Sequence, residues 1–236
     1  MAPQRKQPEP LRHEQKYHIS QGSAAYLSQV LGRTMWIDEN ADRYGEYHIR
    51  SLYFDDCFNT AMSDKIDGVQ HRDKYRIRIY NLSDRVIMLE RKRKKGDYIS
   101  KLSVPLSRDL AEQIIAGDPY GLERLGHPLL QDMFRQMTTR LLKPVVVVDY
   151  VREAYTHPAE NTRVTLDKQL RTGLFSTDLF DANLPTIPCL HNETVILEVK
   201  YDRRFPEFIR PMLSSIPAQR SAISKYTFCR RLEFNL

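Results

Sequence analysis

Long hydrophobic runs are missing from this sequence. No window comes near the run of about 18 apolar residues that indicates a membrane-spanning helix, and the most apolar stretch is residues 145–148. Residues 1–10 are polar and proline-rich, and they lack the apolar core of a secretory signal. The sequence therefore predicts neither a membrane-spanning protein nor an exported one.

Cysteine is also scarce, and the phosphate-binding glycine loops are missing. Cys57, Cys189 and Cys229 are far apart and have no CxxC spacing, which argues against a disulfide framework or a structural zinc site and favours a reducing cytoplasm. The chain contains neither a GxxxxGK[ST] nor a GxGxxG loop, so P-loop enzymes and protein kinases are not supported. Its seven histidines show no metal-ligand spacing.

The composition is that of an ordinary soluble globular chain. It has 236 residues, of which 41% are hydrophobic and 28% charged. The polar, proline-rich start of the chain predicts a flexible tail over residues 1–10. The length predicts one domain over residues 11–236. The net charge of +6 favours an anionic partner, but beside 30 acidic residues the placement of charge matters more than its total.

One short segment alternates between basic and apolar residues. Lys74, Arg76 and Arg78 are separated by aromatic or aliphatic side chains. Successive side chains of a β-strand point to opposite faces, so this segment presents three cations on one face. Related charged faces recur in four other segments: Arg12, Glu14 and Lys16; Glu90, Lys92 and Lys94; Arg163, Thr165 and Asp167; and Glu198 with Lys200. One such strand alone indicates a solvated face, but five in one domain favour a shared basic tunnel.

Turn signals and periodicity predict an α+β fold that is mainly β. About eight strands would form an antiparallel β-barrel around the tunnel, with helices packed outside. Helices are predicted at residues 24–30, 107–116, 129–142 and 206–216, the first of them capped by Ser23. Residues 173–192 show little periodicity and are predicted to be irregular.

The charge pattern predicts a polyphosphate-like ligand. Like charges on neighbouring strands repel unless an anion or interleaved acids neutralise them, and arginine and lysine both bind phosphate oxygens. Glu14, Glu90 and Glu198 cannot bind phosphate directly, and their presence indicates a bridging Mg²⁺ or Mn²⁺. Glu14 and Glu90 fit metal binding and ion pairing equally well, whereas metal binding is favoured for Glu198. No nucleic-acid motif is present, so no nucleic acid partner is expected.

Six short motifs, taken in order, resemble the VTC domain of polyphosphate polymerases, in the CYTH-like superfamily of triphosphate tunnel metalloenzymes. They are RHEQKY at residues 12–17, SLYFD at 51–55, KYRIR at 74–78, LERK at 89–92, ILEVK at 196–200 and SKY at 224–226. The resemblance covers roughly residues 11–231 and is to the bacterial form, in which this domain stands alone. It implies a cytoplasmic enzyme that works at the inner face of a membrane beside a separately encoded membrane protein.

The resemblance also implies an activity. A VTC-like enzyme would transfer the γ-phosphate of ATP to a growing polyphosphate chain and release ADP, with Mn²⁺ or Mg²⁺ as cofactor. The residues predicted as catalytic are Lys16, Arg76, Arg78, Lys92, Arg152, Arg163, Lys200 and Lys225; those predicted to bind nucleotide or phosphate are Lys74, Lys101 and Ser224; and the candidate metal ligands are Glu198, Glu14 and Glu90. Two alternatives remain: a tunnel triphosphatase that hydrolyses inorganic or nucleoside triphosphate, and a non-catalytic polyphosphate-binding module.

Overall fold

The chain folds around one antiparallel sheet. The computed structural model describes residues 12–96, 98–191 and 193–234, so the predicted tail at residues 1–10 lies outside the described part. The strands are β1 (His13–Ser20), β2 (Trp36–Ile37), β3 (Glu46–Asp55), β4 (His71–Tyr80), β5 (Ser83–Lys95), β6 (Tyr98–Leu106), β7 (Lys143–His157), β8 (Thr162–Thr172), β9 (Ile187–Pro188), β10 (Thr194–Tyr201) and β11 (Gln219–Arg220). The helices are α1 (Gln21–Thr34), α2 (Thr60–Ile66), α3 (Arg108–Ile115), α4 (Pro128–Thr139), α5 (Ile209–Ser214) and α6 (Lys225–Phe234).

The strand order differs from the order along the chain. It runs β11-β1-β10-β8-β7-β3-β4-β5-β6, with β2 paired to β7 and β9 paired to β8. Among the described residues, eight strands are at least eight residues long and the other three have two residues each. The expectation of a mainly β, antiparallel fold with about eight substantial strands is confirmed.

The sheet curls until its two ends touch, but it does not close into a full barrel. An isolated bridge joins Arg12 to Ile99 at the start of β6, with the Arg12 N–H donating to the Ile99 carbonyl at 3.3 Å. Across the same junction Lys92 Nζ lies 2.8 Å from a Glu14 carboxylate oxygen. No continuous ladder joins β1 and β6 in the described part of the chain. The predicted barrel is therefore only approximate: the ends meet through one bridge and side-chain ion pairs.

Helices α1, α3, α4 and α5 cover the outer face of the sheet, as predicted. On β4 the buried outer residues Tyr75, Ile77 and Ile79 pack in one apolar cluster with α3 and α4. A second cluster places α1 and α5 against β1, β8 and β10. Ser20, rather than the predicted Ser23, caps α1: its Oγ accepts the Ser23 N–H at 3.1 Å. The serine just before the first helical turn thus satisfies a free amide of that turn.

Helix α6 was not predicted, and it lies on the inner face of the sheet. Its residues Tyr226 and Cys229 pack in a third apolar cluster with Val146, Val148 and Ile196. Directly paired residues on neighbouring strands point to the same side of a sheet. Val146 pairs with Tyr53, and Tyr53 pairs with Arg76, so this apolar cluster lies on the same inner face as the charged residues. The helix fills one part of the concave side and brings its first turn to the charged part.

Candidate active site

The register of the sheet gathers the charged faces around one cavity. Its volume is about 910 Å³, and residues of α2 and of the segment leading into α6 line it together with strand residues. All of the predicted site residues except Glu90 line this cavity: Glu14, Lys16, Lys74, Arg76, Arg78, Lys92, Lys101, Arg152, Arg163, Glu198, Lys200, Ser224 and Lys225. Glu90 lies beside it, bonded to Arg76 and Lys101. Residues from all eight long strands thus meet in one place, and β3 contributes Tyr47, Ile49 and Tyr53.

Two buried carboxylates share two lysines. Lys16 Nζ lies 2.8 Å from a Glu14 oxygen and 3.2 Å from a Glu198 oxygen. Lys200 Nζ lies 2.6 Å from Glu198 and 3.9 Å from Glu14. The register of β1 and β10 explains these contacts, because it pairs Lys16 with Glu198 and Glu14 with Lys200. We call Glu14, Glu198, Lys16 and Lys200 the two-carboxylate cluster.

Both carboxylates of this cluster are held in the charged form. Burial favours the neutral form of Glu14, and so does the nearby charge of Glu198, yet the surrounding lysines outweigh both and keep the pKa of Glu14 well below its usual value. Burial likewise opposes ionisation of Glu198, and the attraction of the lysines, Lys200 foremost, lowers its pKa well below normal. Burial also disfavours the charged form of Lys16, but the two carboxylates raise its pKa. The two carboxylates of the cluster thus each carry a negative charge at neutral pH.

Glu90 stands at the centre of a second cluster. It is 2% exposed, and its carboxylate accepts from Arg76 Nε at 2.7 Å and from Lys101 Nζ at 2.9 Å, with Arg78 at 3.8 Å. Burial opposes its ionisation, and the three cations together hold its pKa well below the usual value. Glu90 does not line the cavity, whereas Glu14 and Glu198 do, which makes Glu90 a poorer candidate for metal binding than either of them. Its assignment as a metal ligand stays a prediction.

Asp167 forms a third acidic centre that was not among the predicted site residues. Its carboxylate accepts from Arg152 through two bonds of 2.6 and 2.8 Å, and Lys225 Nζ lies 2.5 Å from it. Burial favours its neutral form, but Arg152 and Lys225 lower the pKa of Asp167 to about 2. The sequence placed Asp167 on a charged face. Its ion pair with Lys225 depends on the position of α6 inside the sheet.

Tyrosine hydroxyls hold the arginines of the cavity in place. Arg76 donates to Tyr53 at 2.8 Å, Arg78 to Tyr150 at 3.1 Å and Arg163 to Tyr47 at 3.0 Å. These tyrosines were also missed. Tyr47 and Tyr53 alternate with outward residues of β3 just as the cations do on β4, and that alternation was the signal that could have found them.

Lys74 differs from the other predicted cations of the cavity. Its Nζ donates to Ser224 Oγ at 3.0 Å and lies 4.7 Å from the centre of the Tyr226 ring. No carboxylate of the described residues lies within ion-pair distance of it. Burial, and then the positive charges around it, lower its pKa well below the ordinary value. Three basic residues outside the predicted site set also line the cavity: Lys94, which the sequence placed on a charged face, and Lys65 and Arg72.

The arrangement suits a chain of phosphates. Several cations converge on one cavity, so a linear polyanion can be neutralised along its length. Most of these cations are held by carboxylates or tyrosines, which fixes their geometry before a ligand binds. Around Lys74 the positive charge is not balanced by carboxylates, and a bound anion would relieve the repulsion there.

The donor set also fits a divalent cation at one place. Mg²⁺ and Mn²⁺ commonly bind through one or two carboxylates together with substrate phosphates and water. Glu14 and Glu198 supply two charged carboxylates side by side on the cavity wall. Among the described residues no group of three or more acidic, histidine or cysteine side chains is placed to hold a metal ion, so phosphate oxygens would have to complete the shell.

Two solved structures share the fold at low sequence identity. A putative adenylyl cyclase from Hippeastrum, described as having a dominant triphosphatase activity, is 15% identical, with 94% of this chain and 96% of that chain covered and a TM-score of 0.58. A putative adenylate cyclase from Bacillus halodurans is 12% identical, with 89% of each chain covered and a TM-score of 0.52. No curated protein matches the chain.

In the described residues no helix is long and apolar enough to cross a membrane. The cytoplasmic location and the membrane partner stay predictions, as does the single domain over residues 11–236. The resemblance in sequence is confirmed by the VTC domain model, which matches residues 11–234. The chain therefore belongs to the VTC domain family.

Proposed function

We propose that this protein is a metal-dependent polyphosphate polymerase that transfers the γ-phosphate of ATP to a polyphosphate chain and releases ADP. The observation that carries the proposal is the convergence of cations on one cavity, with two charged carboxylates on its wall. Membership of the VTC domain family supports it. Phosphoryl transfer demands mainly positioning and charge neutralisation, which such a cavity supplies without a covalent nucleophile.

The arginines would bind the phosphates nearest the reacting bond. Arg78 and Arg152 are buried and Arg76 is half-buried, and each is held by a carboxylate or a tyrosine hydroxyl. A guanidinium that is already oriented loses little further freedom when it binds two phosphate oxygens. Such preorganised donors stabilise charge that builds on the equatorial oxygens during transfer. The lysines, which are more mobile, would neutralise the rest of the chain: Lys16, Lys74, Lys92, Lys101, Lys200 and Lys225.

The metal would be held by Glu14 and Glu198. When bound, Mg²⁺ or Mn²⁺ supplies positive charge that neutralises phosphate oxygens and orients them for in-line attack. Lys16 and Lys200, which contact both carboxylates, are then free to turn toward phosphate. Ser224 Oγ, bonded to Lys74, lies where it can donate to the same chain.

The test is product analysis after incubation with ATP, Mn²⁺ and a short polyphosphate primer. Long chains and ADP are expected from the wild-type protein. Both should fall at least a hundredfold in Arg76→Ala, because one preorganised donor is worth about 10²–10³ in rate, and both should also fall in Glu198→Gln, because that change removes a negative charge that would hold the metal. Glu207→Gln is the matched control, since the Glu207 side chain is 79% exposed and pairs only with Arg210 in the described structure. Chains made equally well by Glu198→Gln would overturn the proposed site.

A triphosphatase is the second candidate function. It is favoured by the shared fold with the Hippeastrum protein, for which a dominant triphosphatase activity is described. The same cations could stabilise transfer to water if water reached the in-line position. Free phosphate from ATP or tripolyphosphate without chain growth would establish this activity instead. Tight metal-independent binding with neither product would leave a polyphosphate-binding module.

A further inference from the structure

Two of the three cysteines lie against each other, although 40 residues separate them along the chain. The Sγ atoms of Cys189 and Cys229 are 3.2 Å apart. Cys229 is on α6 and fully buried, whereas Cys189 follows β9 and is partly accessible. Cys57, the third cysteine, is exposed and also unpaired. A partly accessible cysteine is therefore backed by a buried one.

Both sulfurs are positioned by the same strand. The Cys189 backbone N–H donates to the Leu170 carbonyl of β8 at 2.9 Å. Cys229 packs in the same apolar cluster as Leu170, and its Sγ lies 3.8 Å from the Arg171 carbonyl oxygen. The contact between the sulfurs thus joins two segments that are each fixed on β8, and the shift of about 1 Å needed to reach a bonded distance is small.

We propose that Cys189 and Cys229 form a reversible oxidation site at which a peroxide converts the two thiols into an intramolecular disulfide. Cys189 gives its thiol proton to solvent and the thiolate attacks one peroxide oxygen. The O–O bond breaks, Cys189 becomes a sulfenic acid, and the leaving hydroxide or alkoxide takes a proton from solvent and departs as water or an alcohol. The Cys229 sulfur then attacks the Cys189 sulfur, the S–O bond breaks, and the departing hydroxide takes the Cys229 proton as water. Both sulfurs are oxidised and the peroxide is reduced by two electrons.

The order of the two steps follows from burial. A peroxide can reach Cys189, while the apolar surroundings of Cys229 keep it from direct attack. Burial, followed by the contact with Cys189, raises the pKa of the Cys229 thiol well above its usual value, so Cys229 stays protonated until the sulfenic acid forms beside it. Cys189 is therefore the attacked residue and Cys229 the resolving one.

The cross-link would clamp α6 to the sheet. Helix α6 begins at Lys225, directly after Ser224, and both residues line the cavity. A bond from Cys229 to the segment after β9 ties this helix to β8. The proposal does not depend on the reaction that the cavity performs, because it concerns only the sulfurs and the position of α6.

The first test is peptide mapping of the native wild-type protein after treatment with hydrogen peroxide. We expect a Cys189–Cys229 cross-linked peptide that dithiothreitol reverses, with a mass loss of two hydrogen atoms, while Cys57 in the same molecules still reacts with a thiol reagent. Amide hydrogen exchange in α6 should slow on oxidation and recover on reduction. Cys189 recovered as sulfinic acid, or a cross-link that appears only in denaturant, would overturn the proposal.

Single variants separate the roles of the three cysteines. Cys57→Ser should form the cross-link at the wild-type rate. Cys189→Ser should form no cross-link, and peroxide should no longer slow amide exchange in α6. This variant should fold, because Cys189 is a partly accessible side chain. Cys229→Ala should accumulate Cys189 sulfenic acid, which dimedone traps. If peroxide also slowed amide hydrogen exchange in α6 of the Cys189→Ser variant, the slower exchange would have another cause and the proposal would be overturned.

Discussion

Lys74 Nζ donates to Ser224 Oγ at 3.0 Å, and in the part of the chain that the structure describes no carboxylate lies within ion-pair distance of this ammonium group. Lys16, by contrast, contacts both Glu14 and Glu198. The two lysines lie in one cavity, yet Lys16 has two carboxylate partners and Lys74 has none among the described residues. The unbalanced region is where a polyanion gains most by binding.

Replacing Lys74 with methionine should weaken the binding of tripolyphosphate by about tenfold to a hundredfold. A hydrogen bond to a charged group contributes about 1.5–3 kcal/mol, and each 1.4 kcal/mol is a factor of ten. Binding is measured by titration calorimetry. Lys143→Met is the matched control, since Lys143 is exposed and does not line the cavity. Equal affinity of the Lys74 variant and the wild type would contradict the prediction.

The same titration should show proton uptake. Burial and the neighbouring cations lower the pKa of Lys74 in the empty cavity, and a bound polyanion raises it, so the lysine takes up a proton between those two values. At mildly alkaline pH the heat of binding should therefore change with the ionisation enthalpy of the buffer. The Lys74→Met variant should show a smaller dependence on the buffer. Proton release on binding, or the same uptake in the variant, would contradict the assignment.

The free energy of unfolding without ligand should rise with pH from about 8 toward 10. Burial lowers the pKa of Lys65 and of Lys92 from 10.5 to about 8. Between those values the unfolded chain binds more protons than the folded one, so stability increases with pH. Above pH 10 the trend reverses, because burial and adjacent carboxylates raise the pKa of Tyr75 and Tyr226, and ionising these phenols costs more in the folded state. Urea unfolding across this range tests both signs.

Tyr226→Phe should destabilise the protein by about 1–3 kcal/mol, the usual range for a buried hydrogen bond whose charged partner is left behind. The Tyr226 hydroxyl donates to Asp55, which also accepts the backbone N–H groups of Ala61 and Met62 at the start of α2. This bond ties α6 to α2, and both helices contribute cavity residues. Urea unfolding measures the loss. Tyr120→Phe, at a side chain 78% exposed, should change stability by less than about 0.5 kcal/mol.

The faces of the strands could be predicted from the sequence because alternation is a local property. Lys74, Arg76 and Arg78 point inward and Tyr75, Ile77 and Ile79 point outward, as the pattern indicated. The register then carries this alternation from strand to strand, so a correct inner face on β4 fixes the inner faces of its neighbours. This is why nearly all the predicted site residues meet in one cavity.

Partners brought together by distant parts of the chain could not be predicted in the same way. Strand β1 pairs with β10, which lies near the other end of the sequence, and the Lys16–Glu198 contact depends on that pairing. Helix α6 is short and buries polar residues, including Lys225 and Arg230, so its amphipathic pattern is weak. Its place inside the sheet decides the partners of Asp167 and Lys74, and neither was visible from the local sequence.

Two neighbouring residues on β4 should separate stability from binding. Ile77 is fully buried on the outer face, and truncation to alanine should cost about 2–5 kcal/mol through lost contacts and a cavity, with the tripolyphosphate affinity of the folded protein unchanged.

The Arg78→Met variant replaces an inner cation with an uncharged side chain of similar volume. Glu90 keeps Arg76 and Lys101 as partners, and the repulsion between the two arginines disappears, so stability should fall by less than in Ile77→Ala. Tripolyphosphate binding by this variant should nevertheless weaken at least tenfold. Unfolding in urea and calorimetric titration of both variants decide the matter: if Ile77→Ala lost binding and Arg78→Met lost only stability, the assignment of inner and outer faces would be reversed.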